Sequence, residues 1–201
     1  MPSFSESVFI NCPFTSNFKP LFDAMVFTTI GCGFTPRCTK EINDVDDIRI
    51  TKIMTLIREC KYGIHDVSLS NGRLNMPLEL GLFMGCKEYG GRSQAGKRCI
   101  VFEEKDYKSK AYLSDLGGQD MMAHNKKPNT IIKKVREWLA PKAVDPNKIP
   151  HSPFFIQNYT DFQNFLPGYC AAKHWDIDEI SFNEYVLSVS NWLLTNPIQT
   201  P

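Results

Sequence analysis

Tyr62-Gly63-Ile64-His65-Asp66-Val67-Ser68, followed after a polar interval by Asn75-Met76-Pro77-Leu78-Glu79-Leu80-Gly81-Leu82-Phe83-Met84-Gly85-Cys86, is the stretch that decides the fold. The first part reads as a strand running into a polar loop. The second begins where Asn75 and Pro77 mark a helix start, and continues through Leu82, Phe83 and Cys86 towards Gly90-Gly91. A short apolar strand followed by a segment of helical period is one unit of a parallel sheet covered on both faces.

The same alternation extends outward in both directions. Val8-Phe9-Ile10 is a first strand, stopped at Asn11-Cys12-Pro13-Phe14. Phe18 to Ile30 follows as a helix with Leu21, Phe22, Met25, Val26 and Thr29 on one apolar stripe, ended by Gly31-Cys32-Gly33. Phe34 to Cys38 is a second strand, and Asp47 to Cys60 a helix with Ile50, Ile53, Met54 and Ile57 on its buried face. Arg98 to Phe102 is a fourth strand and Gln119 to His124 a short fifth. Thr130 to Leu139 closes the series with Ile131, Ile132, Val135, Trp138 and Leu139 inward. Right-handed crossovers then give an α/β, flavodoxin-like, doubly wound parallel sheet of five strands in the order 2-1-3-4-5.

The chain has 201 residues, with 23 Lys+Arg against 22 Asp+Glu and 42% hydrophobic residues, a composition that excludes disorder and collagen-like structure. The near-neutral balance offers no electrostatic case for nucleic acid or an anionic membrane. No apolar run reaches the roughly 18 residues of a membrane span, and the first residues lack the order of a signal peptide, so the expected compartment is the cytoplasm. Residues 141–201 carry three basic side chains (Lys142, Lys148, Lys173) against six acidic ones. Two segments are therefore expected: an α/β domain over residues 1–140 and a C-terminal helical extension over 151–201, joined by a Pro-rich linker at 141–150. The extension is rich in aromatics (Phe154, Phe155, Tyr159, Phe162, Phe165, Tyr169, Tyr185, Trp192) and reads as two or three helices that must dock on the sheet domain or on a second subunit.

In such sheets ligands bind outside the carboxyl ends of the strands. After strand one come Asn11, Cys12, Pro13, Phe14 and Thr15; after strand two, Arg37 and an acidic run containing Asp44; after strand three, Asp66 and Ser68, then Glu79 in a helix's first turn. Strands one and three are expected neighbours, so Asn11, Asp66 and Glu79 should share one cleft. A carboxylate in a first helical turn is held ionised by the helix dipole, which lowers its pKa and suits a nucleophile or an electrostatic stabiliser. Beneath an anomeric carbon it would stabilise or capture an oxocarbenium-like centre. Asp66 would handle a proton or bind sugar hydroxyls. The plainer alternatives are that Glu79 merely stabilises its helix and that Asp66 with Ser68 forms a turn.

Other features read as structural. The seven cysteines lack C-x-x-C spacing and suit reduced core positions, and neither they nor the four histidines form a zinc pattern. His65, flanked by apolar residues, reads as a core histidine. The basic stretch Arg92, Lys97, Arg98, Lys105, Lys108 and Lys110 is interrupted by Glu103, Glu104 and Asp106 and reads as a solvated face.

Asp66-Val67-Ser68 followed by Asn75-Met76-Pro77-Leu78-Glu79-Leu80-Gly81 resembles the superfamily of nucleoside 2-deoxyribosyltransferases and Toll/interleukin-1 receptor (TIR)-like nucleotide-processing domains, in which an Asp-containing strand end precedes a helix opening with Glu-Leu-Gly. Asn11-Cys12-Pro13-Phe14 resembles the loop that receives base or sugar in the deoxyribosyltransferases. The resemblance covers roughly residues 8–140. It implies Glu79 and Asp66 as catalytic residues, and Asn11, Cys12, Pro13, Phe14, Arg37, Asp44, Ser68 and Asn75 as substrate-binding residues. It further implies cleavage or transfer at a nucleoside or NAD, with no metal and no bound cofactor, in antiphage defence or nucleotide salvage. The partners it implies are a second copy of the chain and a separate effector or sensor protein. In place of the deoxyribosyltransferase Asp-x-Gly-Thr lead-in stands Gly72-Arg73-Leu74-Asn75-Met76-Pro77, and Phe9 or Phe14 stands where an early tyrosine is expected.

The leading expectation is an N-glycosidase or ribosyl-transferring enzyme acting on NAD or a related nucleotide. The alternatives are a nucleotide-binding sensor that does not cleave its ligand and a self-associating TIR-like scaffold.

Overall fold

The computed structural model describes residues 2–41, 48–68, 72, 74–116 and 120–198. Five parallel strands, β1 (Ser7–Asn11), β2 (Thr35–Arg37), β3 (Tyr62–Asp66), β4 (Arg98–Glu103) and β5 (Met121–Ala123), form one sheet in the order β2-β1-β3-β4-β5. The register places Asn11 beside His65 and Asp66 beside Phe102. The chain leaves β1 towards β2 on one side and returns to β3 on the other. The crevice at the carboxyl ends of β1 and β3 is therefore the topological switch point, where doubly wound sheets take ligands.

Among the described residues are six α-helices, α1 (Lys19–Gly31), α2 (Arg49–Glu59), α3 (Asn75–Tyr89), α4 (Pro128–Leu139), α5 (Ser152–Ala172) and α6 (Phe182–Thr195), of which α1 to α4 flank the sheet. Strand periodicity divides the core. Val8 and Ile10 of β1 join the cluster packed by α1 and α4, whereas Phe9 joins Ile53, Leu56, Ile57 and Phe83 of α2 and α3. On α2 the buried set is Ile53, Leu56 and Ile57. Ile50 is exposed and Met54 half-buried, so the helix turns a slightly different face inward than its apolar spacing predicts.

The expected single stripe of α1 is corrected, since every residue from Leu21 to Thr29 is buried. The sheet lies on one side of α1, and α5 and α6 pack on the other. Phe155 and Phe162 are completely buried there, each contributing about 1.5–3 kcal/mol of burial free energy. Phe162 packs on Phe27 at 5.5 Å between centroids. The hydroxyls of Thr28 and Thr29, with no water to reach, donate to the carbonyls of Ala24 and Met25 at 2.7 Å. Gly31 permits the contact, because a Cβ there would lie 2.8 Å from Phe155 Cε1. Gly33, at φ 82°, then takes the left-handed position that ends the helix, with Phe34 N–H bonded to Thr29 O.

The C-terminal helices thus dock on the sheet domain, and the prolines before them form short turns at Ala140–Lys142 and Pro146–Lys148. Arg136 of α4 fastens this segment by donating to the carbonyls of Ile149 and Pro150, both at 2.6 Å.

In the basic stretch Arg92, Arg98, Lys105, Lys108 and Lys110 are exposed as expected, and the reading is corrected for two residues. Lys97 is completely buried, its ammonium donating to the carbonyls of Ile57 and Cys60 at the end of α2 and lying 4.7 Å from the centre of the Phe83 ring. Glu103 is buried too, and accepts from the Tyr107 and Ser109 amides and the Ser109 hydroxyl. A cation at a helix C-terminus meets otherwise unpaired carbonyls. Among the described residues, no helix is long and apolar enough to cross a membrane.

Candidate functional site

Asn11, the last residue of β1, is 2% exposed and its amide donates twice: to the Met76 carbonyl at 2.9 Å and to His65 Nδ1 at 3.1 Å. The first bond holds the start of α3 over the strand ends. The second fixes His65 as the tautomer protonated on Nε2. Burial, reinforced by the Lys97 charge, pushes the His65 pKa down to about 3, so the ring is neutral, and its buried Nε2 has no hydrogen-bond partner. That ring explains Gly63, where a Cβ would lie 2.5 Å from Nε2.

Glu79 is the fifth residue of α3, one position past the expected first turn, and only 8% of it is exposed. The amides of the helix N-terminus are therefore largely out of reach. Burial dominates and pushes the Glu79 carboxyl up to about 7, with Arg49 opposing the shift. This reverses the expected direction. Glu79 is an acid balanced between its two protonation states near neutral pH.

Cys12 shows how the site converges. Its buried thiol is pushed up by desolvation first, then by the negative charges of Asp66, Cys38 and Glu79, with Lys40 opposing. A thiol so placed is a reporter of surrounding charge and a poor nucleophile. Asn11, Cys12, Asp66 and Glu79 are thus all buried towards the strand ends, and Lys40, a residue that sequence reasoning passed over, acts on the same thiol.

Asp66 is completely buried. Its Oδ1 accepts the Ser68 amide at 2.9 Å, and its Oδ2 lies 3.1 Å from His124 Nε2, off the line of a hydrogen bond. Ser68 Oγ shares the same ring nitrogen at 3.2 Å, while His124 Nδ1 accepts the Lys126 amide at 3.0 Å. The proton therefore sits on Nε2, facing both Asp66 and Ser68. Serine and aspartate on one nitrogen cannot act as a relay triad, which needs the aspartate on the opposite nitrogen. The turn that presents His124 holds Asn125 and Lys126 at φ 50° and 57°, sparsely populated for residues with side chains. His124 was legible only as a polar residue closing a strand.

The other expected site residues divide. Pro13 and Phe14 line a cavity with Lys40, and the Lys40 ammonium lies 5.0 Å from the Phe14 ring centre. Arg37 is not brought to the crevice. Its guanidinium donates to both carboxylate oxygens of Glu41 and to Glu59, bracing β2 against the end of α2. Asn75 is exposed at the start of α3. Asp44 lies outside the described residues.

Compared with known protein families and with curated proteins, the chain matches none.

Proposed function

We propose that this protein cleaves or transfers the N-glycosidic bond of a nucleotide, with Glu79 as the carboxylate beneath the anomeric carbon. The observation that carries this reading is a buried acid, with its pKa raised to about 7, at the switch point of a doubly wound sheet. When the C1′–N bond breaks, its electrons leave with the base and positive charge develops on C1′ and the ring oxygen. A carboxylate in a low-dielectric pocket stabilises that charge strongly or captures it covalently before water completes the reaction.

The raised pKa favours one substrate class. A neutral nucleoside leaves Glu79 half protonated, whereas a nucleotide whose base is a pyridinium, as in NAD, brings a positive charge that draws Glu79 into its ionised form. A pyridinium also departs as a neutral base and needs no proton from an acid. Asp66, buried and bound on Oδ1, serves as a positioning residue for the strand-end loop.

The test is incubation with NAD and with deoxynucleosides, followed by chromatography for released base. Release from NAD supports the reading. Tight binding without release from any of them would make the protein a sensor instead.

A further inference from the structure

Beside the crevice, a cavity of about 400 Å³ lies between the loop after β1, the start of α1 and the segment leading into α6. Nothing in the chemistry at Glu79 uses it. Its volume falls within the range of about 300–1,000 Å³ typical of small-molecule sites. Phe14, Phe22 and Phe182 supply a continuous aromatic surface, with centroids 5.3 Å apart for Phe14 and Phe22 and 6.0 Å for Phe22 and Phe182. Lys40, Asp178 and Glu179 also line it. The second lysine lining the cavity, Lys19, is already paired with Asp23 at 2.7 Å, whereas Lys40 forms no ion pair among the described residues.

The segment leading into α6 is fixed in place. Ser181 and Glu184 close a reciprocal cap at the start of α6, Tyr185 donates to the Asp23 carbonyl at 3.3 Å, and Asn183 reaches the Glu41 carbonyl at 3.5 Å. The cavity is therefore held open by tertiary contacts from both segments of the chain.

We propose that this cavity binds a nucleoside 5′-monophosphate group. Resting on the reading above, this group is the second half of a dinucleotide whose scissile half lies against Glu79. The aromatic surface accepts the base, the two carboxylates accept hydrogen bonds from ribose hydroxyls, and Lys40 meets the phosphate. Pro13 and Phe14 of the cavity follow Asn11 and Cys12 directly in the chain, and Asn11 is bonded to Met76 of the helix that carries Glu79, so the two subsites share the loop after β1. The C-terminal extension thereby acquires a role, as the wall that selects dinucleotides over mononucleosides.

The test is calorimetric titration with adenosine 5′-monophosphate of the full chain and of three variants. Ser16→Trp fills the cavity from an exposed position, Lys40→Ala removes the cation, and Glu79→Gln alters only the other subsite. The wild type and Glu79→Gln should bind alike, and Ser16→Trp and Lys40→Ala should each weaken binding roughly ten- to a hundredfold. No binding to the wild type at millimolar nucleotide, or binding unchanged by both cavity variants, would overturn the proposal. Because no turnover is required, absence of base release by the wild type, with intact, cavity-dependent binding, would count against the Glu79 reading alone.

Discussion

The side-chain amide of Asn11 donates to the Met76 carbonyl at 2.9 Å, which ties the end of β1 to the helix that carries Glu79 three residues later. The same amide satisfies His65. Asn11→Ala should cost about 1–3 kcal/mol, because a buried ring nitrogen loses its donor. Urea unfolding measures the loss. A midpoint equal to that of the wild type would mean that this tie is not holding α3.

Glu79 makes stability depend on pH with a definite sign. Its folded pKa of about 7 lies above the unfolded value of 4.5, so between these values the folded state holds more protons. Its contribution is fully present below about pH 4.5 and is lost as pH rises through 7. Glu79→Gln should remove that loss, raising stability relative to the wild type at pH 8 by on the order of 1–3 kcal/mol more than at pH 4.5. Parallel urea midpoints for the two proteins across this range would contradict the raised pKa.

Lys97 is expected to act as the cap of α2. Lys97→Met keeps most of the volume but leaves the Ile57 and Cys60 carbonyls without their donor, at a cost of about 2–5 kcal/mol. Thermal unfolding of the variant should shift down by several degrees. A neutral substitution would mean that Lys97 does not cap α2.

Two glycines should respond in opposite directions. Gly31→Val places carbon against Phe155 and Ile198 and should cost about 1–3 kcal/mol by displacing the C-terminal helices. Gly85→Ala, within α3 and facing open space, should gain up to about 1 kcal/mol. Similar shifts for both would show that α5 does not seat against α1 as described.

The sheet was legible because each strand is a short apolar run bounded by Gly, Pro or polar residues, and strand order follows from handed crossovers. Periodicity was less informative for α1, which is buried on all sides once α5 and α6 dock, so no stripe distinguishes its faces. The site was only partly legible. Strand ends pointed to Asn11, Asp66 and Glu79, but the sign of the Glu79 shift turns on one helical position and on burial by distant elements, neither of which spacing reveals. His124 and Lys40 reach the crevice through turns after β5 and β2, and Lys97 looked like surface because its charged neighbours in sequence are not its neighbours in space.

The most direct test of the central claim is the rate of base release from NAD by the wild type and by Glu79→Gln at pH 7.5, with both shown to be folded by their melting curves. The account predicts a stable variant whose rate falls roughly 10²- to 10⁴-fold. A folded Glu79→Gln protein that releases base at the wild-type rate would contradict it.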